Sequence, residues 1–190
     1  RYEHPEPGDM LHLDIKKLGR FHRPGHRVTA DRTQTSPRAG WEFVHVALDD
    51  HSRVAFADIQ PDESGRSACR ALLSALRYYR QLGVTFRRVL TDNGACYKSQ
   101  RFARLCQRLG LRHRRTKPYT PQTNGKAERF IQSALREWAY ARAYESSIDR
   151  AHHLPLWLHH YNWHRPHASL QYQPPISRIT SLNNLVGLHS

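Results

Sequence analysis

The sequence predicts an α/β fold in which a mixed sheet of five strands is flanked by helices. Two observations predict it. Three segments that suit strands come first in the chain, and a tight polar turn joins two of them, as in an antiparallel hairpin. Helical segments with apolar residues at three-and-four spacing then alternate with two further short strand-like segments, as they do when helices connect parallel strands.

The first three strands are expected at residues 10–18, 41–48 and 53–59. The polar turn between the last two contains Asp49 and Asp50, which we interpret as turn formers of a hairpin. Residues 21–40 lack apolar periodicity and are rich in Pro, Gly, Arg and Thr, which predicts a long exposed loop.

A crossover helix is predicted from about residue 61 to Gly83, because Pro, Asp, Glu and Ser open it and its apolar residues share one face. Residues 87–91 then form a short strand that ends at Asp92. A right-handed crossover lays this strand parallel to an earlier one, and if that neighbour is the first strand, Asp14 and Asp92 lie side by side. A helix over 100–109 and a basic strand over 111–116 follow.

Two more helices are predicted after the sheet. One begins at Thr120 and Pro121, which suit an N-cap and the first helical position, and it runs to about Tyr144 with Glu128 at the border of its packed face. The other covers 148–164 and should kink or split at Pro155. The expected division is a core over residues 8–146 and a C-terminal helical extension and tail over 147–190, packed on or beside that core.

The charge balance favours a polyanionic partner. The chain has 30 Lys and Arg against 16 Asp and Glu, a formal net charge of +14 and a pI of about 10.3. Because each phosphate that is neutralised releases counterions, such a surplus favours nucleic acid. Three cysteines without a CxxC pair indicate neither a disulfide framework nor a cysteine zinc site. No apolar run approaches the roughly 20 residues that a membrane span needs, so a soluble intracellular protein without a membrane partner is expected.

Three acidic residues stand out in this basic chain: Asp14 in LHLDIKKLG, Asp92 in VLTDNGACYKS and Glu128 in PYTPQTNGKAERF, with 35 residues between the last two. Acidic residues that work near phosphates use a divalent cation as mediator. Taken singly, each has a structural interpretation, as a hydrogen-bonded strand residue, a turn former and a solvated helical residue. Their order and spacing together favour a two-metal phosphoryl-transfer site.

With these motifs, and with ALDDHSRVAFAD and YNWHRPHASL, the chain resembles the catalytic core of the DDE transposases and retroviral-type integrases. The resemblance is greatest to bacterial insertion-sequence transposases with an integrase core domain, and it spans most of residues 10–175. It implies a ribonuclease H-like fold for the core over residues 8–146. It also implies DNA nicking at transposon ends, followed by attack of the freed 3′-hydroxyl on target DNA.

The same resemblance implies a cofactor, partners and a location. Asp14, Asp92 and Glu128 would be the catalytic and metal-binding residues, with two Mg²⁺ ions per site when DNA is bound and Mn²⁺ as a substitute. Asp14 would bridge both ions, and the other two residues would each serve one. The partners would be transposon ends and target DNA, held by a homo-oligomer because two ends must act together. The implied location is the bacterial cytoplasm, in association with the nucleoid.

Basic and amide side chains near the acidic residues are candidate DNA contacts. The simpler interpretation is a basic helix face for the cations of the Glu128 helix, a helix cap for the amide, and a solvated charged surface for the remaining cations. The candidates are Asn124, Lys126, Arg129, Lys16, Lys117 and Arg115.

Two other functions stay open. A ribonuclease H-like nuclease that only hydrolyses would use the same metals, but such enzymes typically carry a Glu on the first helix after the early strands. This chain offers only Glu63 there, at the start of the helix. A non-catalytic basic DNA-binding module would account for the net charge, although it would not need the three acidic residues.

Overall fold

The computed structural model describes residues 3–24, 39–116 and 124–179, and it contains a five-stranded mixed sheet. The order across the sheet is β3-β2-β1-β4-β5. This confirms the predicted α/β class and strand number. The strands are β1 (Leu11–Gly19), β2 (Trp41–Asp49), β3 (Ala55–Gln60), β4 (Arg88–Thr91) and β5 (Arg112–Arg115).

The strand directions follow the predicted hairpin and crossover. β1 pairs antiparallel with β2 along its whole length, and β3 returns antiparallel to β2. β4 lies parallel to β1, and β5 lies parallel to β4. Both directions could be predicted because a short polar turn forces antiparallel pairing and a crossover helix permits parallel pairing.

Helices cover both faces of this sheet. A π-helical turn, Leu135–Ala139, extends the fourth helix, and two short 3₁₀ turns follow the last one. The helices are α1 (Gly65–Gln81), α2 (Ala95–Lys98), α3 (Gln100–Arg108), α4 (Gly125–Ala134), α5 (Ser147–His152) and α6 (Leu154–Trp163), and the 3₁₀ turns are Ala168–Leu170 and Pro175–Arg178.

Helix α1 begins at Gly65, later than the predicted start near residue 61, and ends close to the predicted Gly83. The Ser64 hydroxyl accepts a hydrogen bond from the Ser67 amide at 3.2 Å, which caps the first turn. Gly83 adopts a φ of +76° just beyond the last turn, a conformation that costs glycine little because it has no Cβ.

Two apolar clusters lie on opposite faces of the sheet. The first packs Leu11 and Leu13 of β1 against α1 and α3. The second packs β2 and β3 against α4, the π-helical turn and α6, with Phe130 and Trp157 among its buried aromatic residues. Since side chains alternate along a strand, His12, Asp14 and Lys16 of β1 belong to the face that α4 covers.

Two helices differ from their predicted extents. The Glu128 helix is regular only to Ala134 and not to Tyr144, because the wider turn that follows positions Trp138 to donate its indole N–H to the Arg150 carbonyl at 2.9 Å. Its predicted start at Thr120 and Pro121 lies outside the described residues. The short helix α2 after Asp92 was not predicted.

The last predicted helix is split, as expected from Pro155, into α5 and α6 on either side of His153. Pro155 occupies the first turn of α6, where its missing N–H costs no hydrogen bond.

Residues 147–179 make polar contacts with the sheet. The Asn162 side chain accepts from the Ala55 amide and donates to the Ala55 carbonyl, both at 2.8 Å, so it pairs with the edge strand β3 as a neighbouring strand would. Trp157 and Tyr161 are buried against the sheet, whereas Trp163 is 38% exposed. The domain boundary at residue 147 stays a prediction.

Candidate active site

Asp14 lies in β1, and Asp92 directly follows the adjacent strand β4. In the β1–β4 pairing His12 is opposite Leu90, and two residues further along both strands the same register reaches Asp14 and Asp92. Asp14 is inside β1, and Asp92 follows directly after the last residue of β4. The predicted adjacency therefore follows from the parallel crossover.

Asp14 is half-buried, and its carboxylate accepts a hydrogen bond from the Ile15 amide at 2.8 Å. The pKa of this carboxyl is raised to about 6. Burial is the largest cause and the negative charges of Asp92 and Glu128 act in the same direction, whereas the Ile15 hydrogen bond and Lys16 oppose the rise. Like charges shift a pKa in this way only when they are near. The three acidic residues therefore share one electrostatic environment.

Asp92 is held by the turn that follows it. Its Oδ1 accepts from the Gly94 amide at 2.9 Å, and the Asn93 side chain donates to the Thr116 carbonyl at 2.8 Å, beyond the end of β5. A Cβ on Gly94 would lie 3.0 Å from Asp92 Oδ1, which is closer than such atoms usually approach. Glycine at this position therefore leaves room for the carboxylate.

Glu128 lies in the first turn of α4 with an exposed side chain. The positive end of the helix dipole at that turn favours a negative group. The residue before the helix, Asn124, is buried at 4% exposure, and its side chain donates to the Leu13 carbonyl at 3.3 Å. Helix α4 therefore starts directly against the β1 residue that precedes Asp14.

A buried polar network continues from Asn124. Its amide oxygen lies 3.0 Å from His12 Nδ1, and His12 Nε2 lies 2.7 Å from Asp50 Oδ1. The Lys126 ammonium donates to the same carboxylate oxygen at 2.6 Å. We call these four residues the anchor network, since they fasten the start of the Glu128 helix to β1 and to the hairpin turn.

Asp50 in the hairpin turn is a buried and hydrogen-bonded carboxylate. Burial alone would raise the pKa of Asp50, but hydrogen bonds from His12, the His4 amide and Lys126 outweigh burial and hold the pKa far below its usual range. Asp49 accepts from the Ser52 amide at 2.8 Å, as a turn-forming aspartate does. Asp50 lies in the turn as predicted and carries a buried negative charge, whereas Asp49 is the last residue of β2 and only its side chain bonds to the turn.

Comparison with known proteins identifies the family. Residues 21–121, more than half of the chain, match a family model described as Integrase core domain. The chain belongs to the integrase core domain family. Residues 109–175 match a second model of the same description, so that Asp92 and Glu128 fall within the matches while Asp14 precedes both.

Relatives of this integrase core are a viral integrase and bacterial transposases. It is 25% identical over 154 residues to "Putative integrase ORF3" of Spiroplasma virus SpV1-C74, across 74% of this chain and 42% of the relative. It is 34% identical over 87 residues to "Putative transposase InsD for insertion element IS2E" of Escherichia coli strain K12, across 45% of this chain and 39% of the relative. The chain thus spans less than half the length of these relatives.

Solved structures share the fold of this integrase core. A chain of the simian T-cell lymphotropic virus intasome matches with a TM-score of 0.70 at 19% identity, over 94% of this chain and 56% of that chain. The catalytic core domain of BIV integrase matches with a TM-score of 0.63 at 18% identity, over 94% of this chain and 99% of that chain. The ribonuclease H-like fold is therefore confirmed.

The predicted DNA contacts fall into different environments. Asn124 is buried and bonded to β1, and Lys126 is half-buried and paired with Asp50, so both side chains serve the anchor network and their prediction as DNA contacts is not supported by these positions. Arg129 and Arg115 are exposed, and Lys16 is half-buried beside Asp14. Lys117 lies outside the described residues.

The donor set suits a hard cation, although the carboxylates do not form a closed site by themselves. Across residues 3–24, 39–116 and 124–179, no three His, Cys, Asp or Glu side chains are grouped so that they could hold a metal ion. Burial is the main cause of the raised pKa of Asp14, and the nearby negative charges of Asp92 and Glu128 also raise it; a divalent cation with oxygen ligands would favour the ionised form of this carboxyl. In the same described ranges, no helix has the length and apolarity to cross a bilayer.

His12 and the structural role of Asp50 were not predicted from the sequence. One signal was available for His12: it precedes Asp14 by two residues, so strand alternation places both side chains on the same face. No comparable local signal links His12 to Asn124, because these residues are 112 positions apart and meet only through the fold.

Proposed function

We propose that this integrase core is the catalytic domain of a DNA transposase or integrase that acts by DDE chemistry. In this proposal it cleaves a DNA strand and then joins the freed 3′-hydroxyl to a target phosphodiester. The observation that carries the proposal is the placement of three acidic residues from separate parts of the fold. Asp14 is in β1, Asp92 directly follows the neighbouring strand β4, and Glu128 is in the first turn of α4, which starts against β1. Burial is the main cause of the raised pKa of Asp14, and the charges of Asp92 and Glu128 add to it. A basic protein without phosphoryl-transfer chemistry would have no need to bring these charges together.

Each acidic residue has a distinct part in this proposal. Asp14, Asp92 and Glu128 would hold two Mg²⁺ ions, or Mn²⁺ as a substitute, with Asp14 shared between them. When bound, the ions supply Lewis acidity and neutralise charge at the phosphate. The half-buried position of Asp14 favours its shared role, because its orientation is fixed by the Ile15 amide, whereas Asp92 and Glu128 are exposed toward solvent.

The named relatives and neighbours support DNA and magnesium as partners. The relatives include proteins named as transposases and as an integrase. One structural neighbour, the HTLV-2 integrase catalytic core, was solved in complex with magnesium in a dimeric form and has a TM-score of 0.57 at 16% identity. Another neighbour belongs to an intasome. We propose that this core likewise binds transposon ends and target DNA as a homo-oligomer, since two ends must be processed together.

The proposal is tested with three isosteric variants, Asp14→Asn, Asp92→Asn and Glu128→Gln. Each should abolish Mg²⁺-dependent cleavage and strand joining while DNA binding in EDTA is kept. Calorimetric titration with Mn²⁺ gives a second readout, because heat of binding should decrease in all three variants even without DNA. If the Asp92→Asn variant cleaves DNA as fast as the original chain, the assignment of Asp92 as a catalytic residue is contradicted.

Glu63→Gln is the control that separates the enzyme classes. Glu63 is exposed and precedes α1, which begins at Gly65, so the transposase proposal predicts that this variant keeps full activity. Two results together would favour the nuclease: the Glu63→Gln variant loses cleavage, and the unaltered chain gives only hydrolysed products and never joined ones. DNA binding without any cleavage by the unaltered chain would favour the non-catalytic module.

A further inference from the structure

The net positive charge of this chain is concentrated in one third of its sequence. Residues 64–127 contain 15 Lys and Arg and one acidic residue, Asp92, whereas the rest of the chain contains 15 residues of each sign. The whole net charge of +14 therefore resides in this segment. The segment includes α1, β4, α2, α3 and β5, which form one side of the fold.

Seven of these cations form two rows on the outward surfaces of two helices. At 100° per residue, the α1 arginines fall within an arc of about 80° that is opposite the buried residues Ala68, Leu72 and Ala75. The α3 arginines fall within an arc of about 60°, well away from buried Phe102 and Cys106. All seven side chains are exposed, and we call them the arginine face: Arg66, Arg70, Arg77, Arg80, Arg101, Arg104 and Arg108.

The two rows belong to one continuous surface. Helices α1 and α3 pack into the same apolar cluster on the same face of the sheet. Burial raises the pKa of the Cys69 thiol on α1, and the guanidinium of Arg101 on α3 opposes that rise, so Arg101 lies beside α1. A rigid partner could therefore contact both rows at once.

No acidic side chain in the described ranges forms an ion pair with the arginine face. Ion pairs in the described ranges engage other arginines, namely Arg53, Arg87, Arg142, Arg150, Arg165 and Arg178. None of the seven arginines takes part in an ion pair among those residues. Repulsion between like charges destabilises such a surface, which a polyanion would relieve.

We propose that the arginine face binds the phosphates of a second segment of duplex DNA, distinct from the segment at Asp14, Asp92 and Glu128. The partner's identity rests on the proposed function, and the surface itself rests on the charges. α1 and α3 cover the face of the sheet opposite α4, so this surface is separated from Glu128 by layers of fold on the order of 20 Å thick. One straight stretch of duplex cannot lie on both sides of these layers.

The composition of the arginine face favours DNA over a protein or a membrane. All seven side chains are arginines, whose planar fork matches two phosphate oxygens. Protein interfaces need an apolar centre, and membrane-surface helices need an apolar face. Among the exposed large apolar residues of the described chain, only Leu109 is near these rows, at the end of α3.

The test measures how DNA binding depends on salt, in EDTA so that no cleavage occurs. Fluorescence anisotropy with a random-sequence duplex gives the slope of log affinity against log salt concentration for the 190-residue chain. Removing phosphate contacts should make this slope shallower by about 0.9 for each contact, hence by about 2 to 4 in a variant that carries four changes. The four changes are Arg70→Gln, Arg77→Gln, Arg104→Gln and Arg108→Gln.

Arg136→Gln is the matched control, because Arg136 is an exposed arginine of the π-helical turn on the opposite side of the sheet. It should leave the slope unchanged. An unaltered slope in the fourfold variant would overturn the proposal, and so would an equal change per charge in the control. If the fourfold variant has a lowered melting temperature, the double variants are measured separately. These are Arg70→Gln with Arg77→Gln on α1, and Arg104→Gln with Arg108→Gln on α3. Each should make the slope shallower by about 1 to 2.

Two further measurements distinguish this proposal from binding to a membrane or an acidic protein, and from the proposed function. If the fourfold variant no longer binds phosphatidylserine vesicles or polyglutamate but keeps the salt slope of its DNA binding, the surface belongs to a membrane or an acidic protein, and the proposal is overturned. The fourfold variant should still cleave a short duplex at saturating concentration. Because the salt slope is measured without metal, it stays interpretable even if Asp92→Asn protein proves fully active.

Discussion

Asn124 and His12 are joined by a 3.0 Å hydrogen bond that ties the start of α4 to the strand of Asp14. The Asn124 amide nitrogen donates to the Leu13 carbonyl, so its oxygen faces the His12 ring, which must donate from Nδ1. His12 Nε2 faces the Asp50 carboxylate. Each ring nitrogen of His12 therefore faces one oxygen acceptor, from Asn124 and from Asp50.

Removing the carboxylate of this network should lower activity without removing any metal ligand. Asp50→Asn removes the negative charge that His12 and Lys126 share. Its NH2 group would also face a donor, either the His4 amide or this pair, so the change should loosen the start of α4, which carries Glu128. We expect cleavage to fall by roughly 10- to 100-fold, as for other residues that orient metal ligands, with DNA binding kept. Asp58→Asn on β3 is the control, since Asp58 bonds only to Gln60 within the described residues.

The roles of Lys126 can be separated by a double-mutant cycle. If Lys126 acts through Asp50, then Lys126→Gln and Asp50→Asn should each reduce cleavage, and the double variant should be no worse than the single ones. A direct phosphate contact would instead give additive losses and a salt slope for DNA binding that is shallower by about 1 in Lys126→Gln. The second result would restore Lys126 as a DNA contact.

Replacing Asp14 should stabilise the fold at neutral pH while it abolishes activity. The pKa of Asp14 is about 6 in the folded chain, above the ordinary value of about 3.9 for an unfolded one. Between these values the folded state binds more protons, so stability falls as pH rises from about 4 to about 6. Asp14→Asn removes this loss and should be more stable above pH 6 by on the order of 1–3 kcal/mol.

Urea unfolding at several pH values checks this prediction. The difference between Asp14→Asn and the original chain should vanish below about pH 4, where the carboxyl is protonated in both states. Mg²⁺ should stabilise the original chain and have a smaller effect on the variant. A variant that is less stable than the original chain at pH 7 would show that burial and the neighbouring charges do not disfavour the ionised form of Asp14.

Gly94→Ala should disturb Asp92 while leaving the backbone unstrained. Gly94 has φ −55° and ψ 146°, which alanine adopts readily, but the added Cβ would lie 3.0 Å from Asp92 Oδ1. The carboxylate must move by a few tenths of an ångström, and we expect cleavage to fall on the order of 10-fold with the melting temperature unchanged. Gly19→Ala is the control, because a Cβ there meets no described atom within 4 Å. Equal activity in the two variants would contradict the prediction.

The sheet and the positions of Asp14 and Asp92 could be predicted because they depend on local patterns. Strand alternation, the polar hairpin turn and the crossover helix leave few topologies, and a parallel β1–β4 pair then brings the two aspartates level. Glu128 could be assigned to a helix from the apolar periodicity around it. These features need no knowledge of distant contacts.

The surroundings of the acidic residues could not be predicted in the same way. Asn124 and Lys126 have the composition of DNA contacts, yet their side chains turn inward to His12 and Asp50, and 76 positions separate Lys126 from Asp50. The π-helical turn after Ala134 likewise depends on where Trp138 finds the Arg150 carbonyl. Such pairings are set by tertiary packing, and neither residue type nor spacing specifies them.

The buried ion pair between Arg150 and Glu42 should make the C-terminal extension integral to core stability. Arg150 donates to Glu42 at 2.8 Å with side chains only 2% and 8% exposed, and it also donates to the Gly19 carbonyl at the end of β1. Arg150→Met leaves the Glu42 charge buried without its partner and should destabilise the chain by about 3–5 kcal/mol.

Adding Glu42→Gln removes that unpaired charge, so the double variant should recover part of the lost free energy of unfolding. Urea unfolding followed by tryptophan fluorescence measures the stability of the single and the double variant. The same experiment tests the boundary predicted at residue 147. If residues 147–179 fold with the sheet as one unit, Arg150→Met should shift a single transition. A second transition that moves while the first stays in place would show that the extension unfolds separately from the core.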